Sequence, residues 1–281
     1  MRDYGPRSAS ALPVVCLPGL ARTAADFDRL ARALSITRRV VALDYRGRGL
    51  SERDRNWRNY DIAVENDDIL SVLTGAGIDA AIFIGTSRGG LHVMTLAATR
   101  PRILRGAVLN DIGPVIKAKG LMRIRGYVGV LPSPSSWADA VDLLKATASA
   151  QFPALDESDW EEQARTTFEE RKGRFVPQYD PLLRKGLEAL DLETALPDLW
   201  PQFDGLRDIP LLVIRGENSD LLSPATVDEM LRRHSGAALH LVPGQGHAPH
   251  LRDIETIGRI TAFVDNIAGD RGSVDSKDPK H

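Results

Sequence analysis

The chain has 281 residues, 43% of them hydrophobic, and its acidic and basic side chains nearly cancel at a formal net charge of -2. That length and apolar content allow a large core of the size of one α/β domain. The balance of charge leaves no global field that would favour nucleic acid or an anionic membrane surface, so the expected partner is a small molecule. A single cysteine, Cys16, cannot close an internal disulfide, which fits a reducing compartment such as the cytoplasm. The opening residues MRDYGPRSAS hold no apolar h-region, and no apolar run is long enough to cross a bilayer, so a soluble protein is expected.

Six short apolar runs rich in Val, Ile and Leu, at 12–17, 39–44, 80–85, 106–110, 210–215 and 238–242, have the continuous hydrophobicity of strands buried on both faces. Helical spacing of apolar residues falls between most of them, at 24–34, 62–76, 90–99, 225–234 and 254–267. Strand followed by helix, repeated, predicts a mostly parallel, doubly wound sheet with right-handed crossovers. The alternation stops over 115–208, where no strand is evident and Pro, Trp and charged residues interrupt short helical patterns, one of them over 138–150. This stretch is predicted to be a helical cap inserted into a core made of 1–114 and 209–268. Such an insert would leave the sheet at the strand C-termini, where ligands bind in open α/β sheets. The last residues, 269–281, are nearly without apolar content and are expected to be disordered.

Gly85-Thr86-Ser87-Arg88-Gly89 lies directly between the run AAIFI and the helical run LHVMTLAAT. A hydroxyl lifted out of a sheet needs a tight strand-to-helix turn, and glycines on either side remove the Cβ atoms that would clash there. Ser87 is therefore the candidate nucleophile. The helix starting beside it turns unpaired N–H groups toward any developing negative charge, with the Arg88 amide as one donor. A chance Gly-Ser-Gly turn is the competing explanation, and the flanking strand and helix argue against it.

The string G-T-S-R-G in this setting resembles the nucleophile elbow of the α/β-hydrolase family, and three more segments resemble that family's landmarks in order. Leu17-Pro18-Gly19-Leu20 stands where the family has an oxyanion loop, which implies the Leu20 amide as the second donor; Pro18 replaces the usual His. Asp44-Tyr45-Arg46-Gly47-Arg48-Gly49-Leu50-Ser51 resembles a structural turn after the next strand. Gly244-Gln245-Gly246-His247 stands where the family keeps its catalytic His. His247 is the expected base, since a serine hydroxyl needs an imidazole to take and return its proton. His92, His234, His240 and His281 suit packing or solvent better, and His250 is a weaker rival. The resemblance puts the acid after the strand LLVIR, at Asp220, with Asp111 after GAVLN as the alternative. Glu217 is expected to fix its loop by local hydrogen bonds.

A serine nucleophile implies acyl transfer to water, with a small carboxylic ester or related acyl compound as substrate. The alternatives are hydrolysis of a C–C bond in a diketone-like compound, or a ligand receptor on a hydrolase scaffold. Arg88 could meet a substrate carboxylate, although pairing with an acidic neighbour is the simpler reading. Aromatic residues of the insert such as Trp137, Phe152 and Trp160 read as core or pocket lining. No metal-ligand spacing, no G-x-G-x-x-G after the first strand and no G-x-x-x-x-G-K-[ST] are found, so no metal and no cofactor are expected. Arg2 to Pro6 resembles the end of an earlier family strand, from which a truncated N-terminal hairpin is expected.

Overall fold

The computed structural model describes residues 1–7, 10–194 and 196–269. The disorder expected at the C-terminus lies outside the described residues from 270 onward, while Gly269 closes the last helix. The strands are β1 (Arg2–Tyr4), β2 (Val14–Leu17), β3 (Val40–Ala42), β4 (Ala81–Thr86), β5 (Leu104–Asn110), β6 (Phe168–Arg171), β7 (Arg174–Pro177), β8 (Leu211–Gly216) and β9 (Ala238–Val242). The helices are α1 (Asp28–Leu34), α2 (Ile62–Gly75), α3 (Arg88–Thr99), α4 (Ala118–Tyr127), α5 (Trp137–Ala148), α6 (Glu157–Thr167), α7 (Leu183–Glu188), α8 (Trp200–Asp204), α9 (Pro224–Arg233) and α10 (Ile254–Gly269).

Seven strands make one sheet in the order β1-β3-β2-β4-β5-β8-β9, with every pair parallel except β1 against β3. All six strands expected from the apolar runs are present, and Arg2–Tyr4 adds the antiparallel edge. Side chains alternate across the sheet, as a period of two requires. Val15, Leu17, Phe83, Leu109 and Val213 face α2, α3 and α9, where Ile69, Met94 and Met230 cover them. Val14, Cys16, Ile82, Ile84, Val108 and Ile214 face α1 and α10, where Leu30, Leu34, Ile260 and Val264 do the same. Cys16 is thus a fully buried core residue. No helix among the described residues is long and apolar enough to cross a membrane.

Between β5 and β8 the chain leaves the sheet and forms α4 to α8. The expectation of a strand-free segment here is corrected by the hairpin β6–β7, paired antiparallel from Phe168↔Pro177 to Arg171↔Arg174. Six of its eight positions are only partly buried or exposed, so it lacks the apolar run that marks a strand in a buried sheet. Ala140, Val141, Leu144, Phe152, Trp160, Ala164 and Phe168 form a small apolar cluster of their own across α5 and α6.

Candidate active site

Ser87 caps the N-terminus of α3, directly after β4, with φ 52° and ψ -113°. That is a left-handed backbone conformation which a non-glycine residue adopts only when its surroundings impose it. The imposition is a very close approach of three chain segments. A Cβ on Gly85 would lie 2.4 Å from the Gly89 carbonyl carbon, and one on Gly89 would lie 2.0 Å from the Leu17 carbonyl oxygen. Both glycines expected to permit the turn are therefore required by backbone contact.

The Ser87 Oγ lies 2.8 Å from His247 Nε2. His247 is held in the loop between β9 and α10, with 4% of its side chain exposed. Its Nδ1 lies 2.8 Å from Asp111 Oδ2. The carboxylate on the imidazole is thus Asp111 and not Asp220, which corrects the first expectation in favour of the alternative. Asp111 follows β5 directly at φ 56°, is fully buried, and accepts hydrogen bonds from the Gly216 N–H at 2.8 Å and the Ser219 hydroxyl at 2.6 Å. Asp220 instead forms a two-pronged ion pair with Arg123 at 2.7 and 2.9 Å. Burial works against ionisation of Asp220, but Arg123 outweighs it and holds the carboxyl below its usual range.

Two further residues hold this arrangement and left no signal in the sequence. The Gln151 side chain accepts from the His247 N–H at 3.2 Å, while its carbonyl accepts from Asn218 at 3.3 Å. Ser219 ties the loop after β8 to Asp111. Asn110 could have been suspected from its polarity at the end of an apolar run; it donates to Thr86 at 3.1 Å and to the Pro249 carbonyl at 2.9 Å, linking β5 to the His247 loop. Glu217 accepts from the Gly244 N–H at 2.8 Å, the local role expected of it.

The amides of Leu20 and Arg88 donate to no protein acceptor among the described residues. Behind them lies a buried ionic network. Arg48 donates to the Leu20 carbonyl at 2.8 Å and to Glu65 at 2.6 Å, and Arg88 donates to the other Glu65 oxygen at 2.7 Å. Arg88 therefore pairs with an acidic neighbour, the simpler of its two readings. Burial opposes the Glu65 charge, but His92, Arg48 and Arg88 outweigh it and hold the carboxyl down at about 2. The turn at Asp44 to Ser51 is tied internally, with the Asp44 side chain accepting from the Ala24 N–H at 2.8 Å and its carbonyl accepting from Ser51.

Among the other histidines, His92 is buried against Glu65 and Asn66, His234 meets the carbonyls of Leu206 and Ile209, and His240 meets Thr256. His250 stacks on Phe152 at 4.9 Å between ring centres, and no bond joins it to Ser87. A cavity of about 170 Å³ opens at Ser87 and His247, lined by the Pro18 to Arg22 loop and by apolar residues of α4 and α5 including Ile124 and Leu144.

Known proteins share this framework. The chain is 33% identical over 259 residues to a 3-hydroxybutyrate-oligomer hydrolase of Cupriavidus necator, covering 89% of this chain and 87% of that one. It is 27% identical to an esterase, YbfF, of Escherichia coli, over 88% of this chain and 90% of the relative. A crystal structure of an alpha/beta hydrolase from Novosphingobium aromaticivorans superposes with a TM-score of 0.88 at 38% identity, covering 94% of this chain and 92% of that one. Residues 14–258 match the model of the alpha/beta hydrolase family, and this chain belongs to that family.

Proposed function

We propose that this chain is a serine esterase that cleaves small carboxylic esters through an acyl-enzyme on Ser87. The observation that carries the proposal is the continuous line of contacts from Ser87 Oγ to His247 Nε2 at 2.8 Å and from His247 Nδ1 to Asp111 at 2.8 Å. In that line His247 takes the Ser87 proton as the oxygen attacks the ester carbonyl, and returns it to the leaving alcohol. Asp111 fixes the imidazole tautomer and stabilises the imidazolium that forms. A water, deprotonated by His247 in turn, then releases the acid. The free N–H groups of Leu20 and Arg88 are assigned to the oxyanion of both tetrahedral intermediates. Side chains, backbone and water suffice for these steps.

Relatives named as esterases and as a 3-hydroxybutyrate-oligomer hydrolase support this choice of reaction. The insert of residues 115–208 serves as a cap, since α4, α5 and α6 contribute Ile124, Leu144 and Thr167 to the wall of the cavity. A fluorophosphonate probe tests the proposal, because only an activated serine reacts with it quickly. The expected outcome is a single adduct on the peptide containing Ser87, absent in Ser87→Ala. A folded wild-type protein that does not react at Ser87 would refute it.

A further inference from the structure

Three arginines stand in the wall of the cavity that contains Ser87: Arg22, Arg123 and Arg252. Two of them are neutralised in place. Arg22 grips Asp26 at 2.7 and 2.5 Å, and Arg123 grips Asp220 at 2.7 and 2.9 Å. Arg252 has no two-pronged partner among the described residues. Its side chain is 4% exposed, yet its Nε and Nη1 make no hydrogen bond among the described residues. Glu162 Oε1 faces its Nε at 3.4 Å, but the other oxygen of Glu162 is taken by Arg29 at 2.5 Å. The one other polar contact of its guanidinium among the described residues is a long one, 3.5 Å from Nη2 to the Thr166 hydroxyl.

Charge leads to the same residue. Arg22, Arg29 and Arg252 stand against Asp26 and Glu162, which leaves one positive charge over. A buried guanidinium with unpartnered donors is costly unless an anion completes it, and its fork of N–H groups matches a carboxylate. His250 lies in the same wall with Nδ1 also unpartnered. Burial first, and the nearby Arg252 and Arg22 next, push its pKa down to about 3. The ring is neutral near pH 7 and offers an N–H without adding charge. The same cavity wall includes the apolar residues Leu144 and Phe152, which suit a short hydrocarbon stem.

We propose that Arg252, assisted by His250, receives a carboxylate of the substrate, so that the esters cleaved at Ser87 carry a free acid group on a short apolar stem. This rests on the esterase reading given above. Two pairs of probes isolate the charge. Mono-p-nitrophenyl adipate and p-nitrophenyl hexanoate share leaving group and chain length and differ in the terminal carboxylate on the acyl side. The pair 4-acetoxybutanoate and butyl acetate, followed by acetate release, places the same difference on the alcohol side.

In at least one pair the acid should be favoured by about 10-fold or more in kcat/KM. Arg252→Gln should cost the acid about 30-fold and the neutral partner less than about threefold. No preference in the native enzyme, or equal losses on both members of a pair, would overturn the proposal. If Arg252→Gln does not fold, Ser87→Ala keeps every arginine; free adipate should raise its melting temperature where hexanamide does not, and no rise with adipate would overturn the proposal as well. A native protein that cleaves no ester and does not label at Ser87 would refute the esterase reading alone, and the adipate measurement on Ser87→Ala would still decide the carboxylate site.

Discussion

Asp111 and Asp220 both follow core strands and both accept from a basic side chain, but with different partners. The imidazole meets Asp111, and Arg123 meets Asp220. Replacing Asp111 by Asn keeps the shape but presents an amide to the ring, so the wrong tautomer is favoured; kcat on p-nitrophenyl butyrate should fall by about 10³ to 10⁴-fold. Asp220→Asn should cost less than about 10-fold, by loosening Arg123 in the cavity wall. The opposite ranking of the two variants would return the acid to Asp220. Ser87 and His247 were legible because each sits in a short glycine-rich string between a strand and a helix. The choice between Asp220 and its alternative Asp111 was not, because the path of a loop decides which carboxylate reaches the ring, and the left-handed backbone of Asp111 leaves no mark in its residue type.

Among elements, the turn from β4 into α3 shows how closely the sheet constrains Ser87. Gly85 and Gly89 meet backbone atoms that cannot yield, so Gly89→Ala should destabilise by about 3 kcal/mol or more and lower activity beyond what instability explains. Gly258, exposed in α10 with nothing within 4 Å of a new Cβ, is the contrasting case. Gly258→Ala should stabilise by about 0.5–1 kcal/mol, because the helix gains backbone rigidity without a clash. Urea unfolding of the two variants checks both signs. The core strands were readable since burial on both faces demands continuous apolar runs. The hairpin β6–β7 was not, since FEER and RFVP alternate charge and bulk on a surface where no such demand exists.

For the whole molecule, the buried Glu65 network makes stability depend on acid. An ordinary glutamate has a pKa of 4.5, and Glu65 is held at about 2 in the fold. The stabilisation from that difference, on the order of 3 kcal/mol, is fully present above about pH 4.5 and is lost as pH falls through about 2. Glu65→Gln should flatten this part of the pH profile of urea unfolding. At pH 7 it should also cost about 3–5 kcal/mol, because Arg48 is left buried without its counter-charge. An unchanged slope below about pH 4.5 would remove Glu65 from the account.

The α6 helix joins the rest of the protein in a different manner from the elements that carry Ser87, His247 and Asp111. Its buried apolar side chains pack with α5 rather than with the sheet, and its polar contacts to the sheet side include Glu162 to Arg29 and Arg252, Thr166 and Thr167 to Arg22, and Thr166 to Arg252. Ions in solution screen the charged attachments, most of all the partly exposed Glu162–Arg29 pair, and act little on apolar burial. Ionic strength can therefore retune one wall of the cavity while the bed of Ser87, His247 and Asp111 stays as it is, so that affinity and chemistry answer to salt separately.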